Sequence, residues 1–159
     1  MKKINFLIKL REEGKLGLVE PSEEIKKSYI LKSESNLTSA KILLENNKLE
    51  ESIALTYYSM YHMLTALFFK AGIKCENHSA SAIIMKEVFS LDNLDIVNAK
   101  SERVDKQYYT GFDIAKQEVL EAIKNAESFN SKLLDFISRI NNKAIENYRK
   151  ILEELSING

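Results

Sequence analysis

One cysteine, one proline and five glycines in 159 residues are scarcities that each exclude something. A lone thiol, Cys75, cannot close an internal disulfide. So few Pro and Gly leave few places to turn, which argues against many short strands and for long helices built from the abundant Leu, Ile, Lys, Glu and Ala. The expected fold class is all-α. An excess of one charge is also missing: 23 Lys and Arg balance 23 Asp and Glu. No global asymmetry therefore draws the chain to nucleic acid or to a membrane surface, although a local patch stays open. There is no apolar run of about 18 residues and no signal peptide, so the expected location is cytoplasmic and no membrane is expected as a partner. No glycine-rich phosphate loop, His-Glu-x-x-His pair, calcium loop or zinc-spaced Cys pair occurs. With two histidines, a soft metal site would have to be assembled from scattered carboxylates; neither metal nor cofactor is expected.

What is present is helical spacing almost throughout. The length suits one domain with one core. Residues 1–20 read as an N-terminal helix, carrying Ile4, Leu7, Ile8 and Leu10, followed by a connector with Gly14 and Gly17; residues 21–159 read as the helical domain. Ser22 before Glu23 and Glu24 is a helix start, a hydroxyl cap with acids in the first turn. That helix runs to Asn46-Asn47 and forms an antiparallel hairpin with the next, Leu49 to Ala71, because the link is short. The second helix is apolar and aromatic on nearly every side, the mark of a buried central element, and Gly72 ends it. A polar hinge, Lys74 to Ser79, leads to a shorter helix capped by Asn77 or Ser79 and reaching Phe89. Another helix runs from Leu94 towards Gln107 and is interrupted at Tyr108 to Asp113, where Gly111 breaks and Asp113 can cap. A long stripe from Ile114 to Ile140 and a last helix after Asn141-Asn142 complete the chain.

Two polar clusters stand out. His62 interrupts the apolar surface of the central helix and reads as a core or interface histidine bonded to a carbonyl or hydroxyl. His78 sits at a helix N-terminus, where it is a loop capping residue or part of an anion site. Cys75 reads as a small apolar plug. The second cluster is Lys100 to Tyr109. Glu102 and Lys106 are an ordinary surface pair one turn apart. Arg103, Asp105, Tyr108 and Tyr109 remain as a set able to grip phosphate and stack a base, or else Arg103 pairs with Asp105 or another carboxylate as structural glue.

Taken together, Tyr57-Tyr58-Ser59-Met60-Tyr61-His62, the Gly72 to His78-Ser79 hinge, Arg103-x-Asp105-x-x-Tyr108 and Ala126-Glu127-Ser128-Phe129 resemble the HEPN domains, a helical family named for nucleotide binding. The resemblance spans roughly Ser22 to Ile140. It implies an up-and-down antiparallel bundle of four to five main helices with short additional ones, usually dimeric, with a cleft lined from both protomers. Many such proteins are metal-independent ribonucleases or toxins encoded beside a nucleotidyltransferase antitoxin. Their catalytic signature, Arg followed after four to six residues by His, is absent: none of Arg11, Arg103, Arg139 and Arg149 has it, and Tyr108 stands at the first such position after Arg103. A tyrosine here also resembles one modified by nucleotidyl transfer in some toxin–antitoxin pairs.

The implied function is a nucleotide- or RNA-binding module, a homodimer partnered by a nucleotidyltransferase. Its site residues would be Arg103, Asp105, Tyr108, Tyr109, His78 and Asn77. One alternative is a ribonuclease using Arg103 for phosphate and His78 or His62 as acid or base. Another is a structural dimerisation domain.

Overall fold

The computed structural model describes residues 1–108 and 114–157, with the side chains of 106–108 outside that description. The described residues form α1 (Lys2–Glu12), β1 (Leu16–Leu18), α2 (Glu23–Glu45), α3 (Leu49–Ala71), β2 (Ile73–Cys75), α4 (His78–Glu87), α5 (Leu94–Tyr108), α6 (Lys116–Arg139) and α7 (Asn142–Ile157). The all-α expectation holds, with one minimal sheet added.

α3 is the centre. Tyr57, Met60, Met63, Leu64, Ala66, Leu67 and Phe68 are all buried, because its apolar side chains fall on every face and α2, α4, α5 and α6 cover them. Each large aliphatic or aromatic chain removed from water there contributes about 1.5–3 kcal/mol. α2 lies antiparallel along it: Lys70 pairs with Glu23, Ser33 meets Ser59, and Ser52 donates to the carbonyl of Ala40. As one number rises the other falls. The middle contact is fully buried and reciprocal, Ser33 Oγ to Ser59 O at 2.7 Å and Ser59 Oγ to Ser33 O at 2.8 Å, and Asn130 Nδ2 of α6 adds a bond to Ser59 Oγ at 2.9 Å. Small hydroxyl residues let the three helices approach closely, and no hydroxyl goes unbonded.

The helix starts follow their caps. Ser22 Oγ accepts from Ile25 N at 3.1 Å, Asn77 Oδ1 from Ala80 N at 2.9 Å, and Asn141 Oδ1 from Ala144 N at 2.9 Å. α4 therefore begins at His78, with Asn77 rather than Ser79 as cap. α6 begins at Lys116, two residues later than its apolar stripe suggests, with Ala115 at the cap position and no side-chain cap bond. The expected Asp113 cap lies outside the described residues.

Sequence periodicity did not reveal the sheet. The connector and the hinge each hold a three-residue strand, paired antiparallel with Leu16 opposite Cys75 and Leu18 opposite Ile73. Three residues are too few to show alternation. α7 locks this ladder: Arg149 Nη1 donates to Val19 O and Gly72 O, each at 2.7 Å, and to Ala71 O at 3.3 Å. Residues 1–20 thus join the main core, to which Leu7, Leu10 and Leu16 contribute.

Candidate functional site

The site grows from three tyrosines on α3. Tyr57, Tyr58 and Tyr61 occupy positions i, i+1 and i+4, so they fan over the face where α4 begins and α5 crosses. His78, the first residue of α4, stacks on Tyr61 with ring centroids 3.8 Å apart and planes 16° off parallel. Its Nδ1 lies 2.6 Å from the Tyr57 hydroxyl. From the other side α5 brings Arg103, whose guanidinium carbon is 5.1 Å from the Tyr57 ring centroid and 5.3 Å from that of Tyr58. Arg103 Nη1 also donates to the Tyr58 hydroxyl at 3.3 Å. One turn earlier Lys100 donates to Ser79 Oγ at 2.6 Å. A recess of about 380 Å³ beside this cluster is lined by Lys3, Tyr57, His78, Ser79, Asn93 and Lys100, among others.

The electrostatics set the protonation states. Burial, then the nearby Arg103, Lys100 and His62, hold the His78 pKa down to about 4. Burial pushes the Tyr57 phenol well above its ordinary value, and Arg103 opposes this only in part. Near neutral pH the pair is therefore a phenol and a neutral imidazole. Tyr57 is 2% exposed, so its O–H needs a partner, and Nδ1 is that partner. This assigns the His78 proton to Nε2. Positive charge at the site comes from Arg103, Lys100 and Lys3, not from the histidine.

The fold unites His78 and Arg103, two residues far apart in sequence, across Tyr57. Asn77 is next to His78, but its Oδ1 is taken by the cap, and its carbonyl accepts from Ser81 N at 2.9 Å and Ser81 Oγ at 3.0 Å. Asp105 is half-buried two positions beyond Arg103. Tyr108 is the last residue of α5; its side chain and the whole of Tyr109 lie outside the described residues. Cys75 is half-buried with its thiol pKa pushed up by burial, in keeping with a plug.

His62 differs from its sequence reading. Its Nδ1 is enclosed without a hydrogen-bond partner, and the ring sits among Tyr29, Tyr58 and Tyr61 at centroid distances of 5.7, 6.3 and 6.0 Å. The sequence reading gives no site role to Tyr57, Tyr58 and Tyr61, as part of the central helix, or to Lys100, the first residue of its second polar cluster. The signal was there for the tyrosines: three phenols on one helical face cannot all be buried without partners for their hydroxyls. Among the described residues no three His, Cys, Asp or Glu side chains converge as metal ligands, and no helix is long and apolar enough to cross a membrane.

Residues 27–136 match the HEPN domain family. The chain is also 40% identical over 89 residues to a UPF0332 protein of Pyrococcus horikoshii, a match covering 55% of this chain and 57% of that relative. The chain thus spans little more than half the length of that protein.

Proposed function

Since this chain belongs to the HEPN domain family, whose members are in general nucleotide- or RNA-binding modules, we propose that it binds RNA or a nucleotide at the Arg103–Tyr57–His78 cluster without cleaving it. In this reading the module works as a dimer with a nucleotidyltransferase partner. The observation that carries it is the Tyr57 hydroxyl on His78 Nδ1. A general base needs an open lone pair, and a general acid needs a proton with a pKa near the working pH. In the assigned tautomer His78 has neither: the lone pair on Nδ1 is occupied, and the neutral Nε2–H is far too weak an acid. The same Nε2–H is a good hydrogen-bond donor, and Arg103 beside it suits a phosphate oxygen. Tyr108 and Tyr109 remain proposed as stacking or modified residues.

The test is a titration of single-stranded RNA at fixed salt. Arg103→Ala weakens binding about tenfold, roughly the loss of one charge-assisted phosphate contact; unchanged affinity rejects the assignment. The nucleotidyltransferase partnership is tested by the identity of the adjacent gene and by co-purification on co-expression.

One observation favours a second reading, a metal-independent ribonuclease: the fold sets His78 beside Arg103 despite the missing signature, and Tyr57 would pass its proton to Nδ1 as its oxygen takes up the proton of the attacking hydroxyl. Purified protein incubated with RNA in excess chelator decides between the two. Cleavage that is lost in Tyr57→Phe and His78→Gln supports the ribonuclease, and intact RNA supports binding alone.

A further inference from the structure

Tyr61 also lines a second recess, of about 320 Å³, together with Tyr29, Lys32, His62, Thr65, Phe69 and Lys74 among others. Its size is that of a small-molecule site. Its walls are aromatic: Tyr29 and Phe69 stack at 5.5 Å with planes 4° apart, and Tyr29 lies 5.7 Å from the His62 ring. At its edge Lys32 Nζ sits 5.6 Å from the Tyr29 centroid and, among the described residues, pairs with no carboxylate. Lys74 at the rim is held by Glu76 at 2.9 Å.

The polar groups are sparse and complementary. An orphaned N–H is rarer in buried positions than an unused lone pair, so the enclosed, unpartnered Nδ1 of His62 is the bare nitrogen and the proton sits on Nε2. Burial and the nearby Lys32 both lower the His62 pKa, which keeps the ring neutral. Thr65 gives its hydroxyl proton to Tyr61 O at 2.9 Å, leaving its oxygen as an acceptor. A donor on His62 and an acceptor on Thr65 between aromatic walls, with the Lys32 ammonium group beside them, suit a planar heterocycle carrying a phosphate.

We propose that this recess is a nucleobase pocket, with Tyr29, Phe69 and His62 as walls, Thr65 and His62 Nε2 on the base edge, and Lys32 toward the phosphate. It deepens the binding reading above and extends the same surface. Tyr58 is shared: Arg103 lies over its ring at 5.3 Å and His62 stacks on it at 6.3 Å. A strand whose phosphate is held at Arg103 could then place an unstacked base against His62.

The chain has two histidines, one at each site, so a histidine-labelled sample gives a separate NMR signal for each. Adenosine 5′-monophosphate, ribose 5-phosphate and inorganic phosphate are titrated in turn. Adenosine monophosphate is expected to move the His62 signal saturably, ribose 5-phosphate and phosphate are expected to leave it in place, and Lys32→Glu, an exposed change that spares the fold, is expected to weaken the effect at least fivefold. A His62 signal that stays put with adenosine monophosphate, or moves equally with inorganic phosphate, overturns the pocket. Arg103→Ala is the separate control. If it leaves RNA affinity unchanged while adenosine monophosphate still moves His62, the cluster assignment fails and the pocket stands; the reverse pattern rejects the pocket alone.

Discussion

The Tyr57 hydroxyl closes on Nδ1 of His78 at 2.6 Å, tying the middle of α3 to the first residue of α4. That contact is favourable only while His78 is neutral, which makes fold stability sensitive to acid in a defined window. The folded His78 pKa is about 4 against an ordinary 6.5. Between those values the unfolded chain takes up a proton that the folded chain refuses. This contribution to stability is complete above about pH 6.5, is lost as the pH falls towards 4, and is flat below. The ring is only half-buried, so solvent screening holds the loss to about 1–2 kcal/mol. Urea unfolding at a series of pH values is expected to give a steeper acid slope for the native chain than for His78→Gln; coincident slopes would remove the basis for the neutral pair.

Arg103 supplies charge rather than packing to a bound strand, so its effect carries a salt signature. Replacing it with Gln is expected to lower the magnitude of the slope of log affinity against log salt by about 0.7 for single-stranded RNA, the value for one released counterion. Affinity should fall alike for different sequences, because a phosphate contact reads no base. A sequence-selective loss with an unchanged slope would instead place Arg103 on a base edge.

Ser59 is the hub of the buried contact among α2, α3 and α6. It donates to Ser33 O and accepts from Asn130 Nδ2. Ser59→Ala fits sterically but strands the Asn130 amide, which is 8% exposed, so a loss of about 1–3 kcal/mol is expected in chemical denaturation. The double change Ser59→Ala with Asn130→Leu removes the stranded group and should recover part of that loss; additive losses would mean that the two side chains are not coupled.

The helices were legible because their causes are local. Ser22 and Asn77 as caps, Gly72 as terminator and the all-round apolar character of Leu49 to Ala71 are written in adjacent residues. The strands were not, since a three-residue ladder is chosen by its partner and by Arg149, which is far away in sequence. The site was legible in half. Arg103 and His78 stand out as chemistry in polar surroundings, but Tyr57, Tyr58 and Tyr61 read as core because nothing local says which side of α3 meets α5. His62 misled for the related reason that a sequence does not disclose whether a helix histidine finds a partner.

Gly72 is where local and distant causes meet, and it gives the most demanding prediction for the fold. Its φ of 71° is left-handed, which an L side chain tolerates poorly. A Cβ there would overlap Arg149 Nη1 and come within 2.5 Å of Val19 O and 2.9 Å of Pro21 Cδ. Gly72→Ala should therefore strain the turn and also displace the guanidinium that binds Val19 O and Gly72 O. The expected cost is about 3 kcal/mol or more, beyond that of an ordinary surface change. Arg149→Met keeps the aliphatic stem and loses the three carbonyl bonds, and the double variant should be less destabilised than the sum, because one change has already emptied the space that the other invades. Thermal unfolding of the four proteins measures this. Strict additivity would show that Arg149 does not hold the strand pair through Gly72, leaving the left-handed backbone and the close approach of Val19 O and Pro21 as the reasons for glycine.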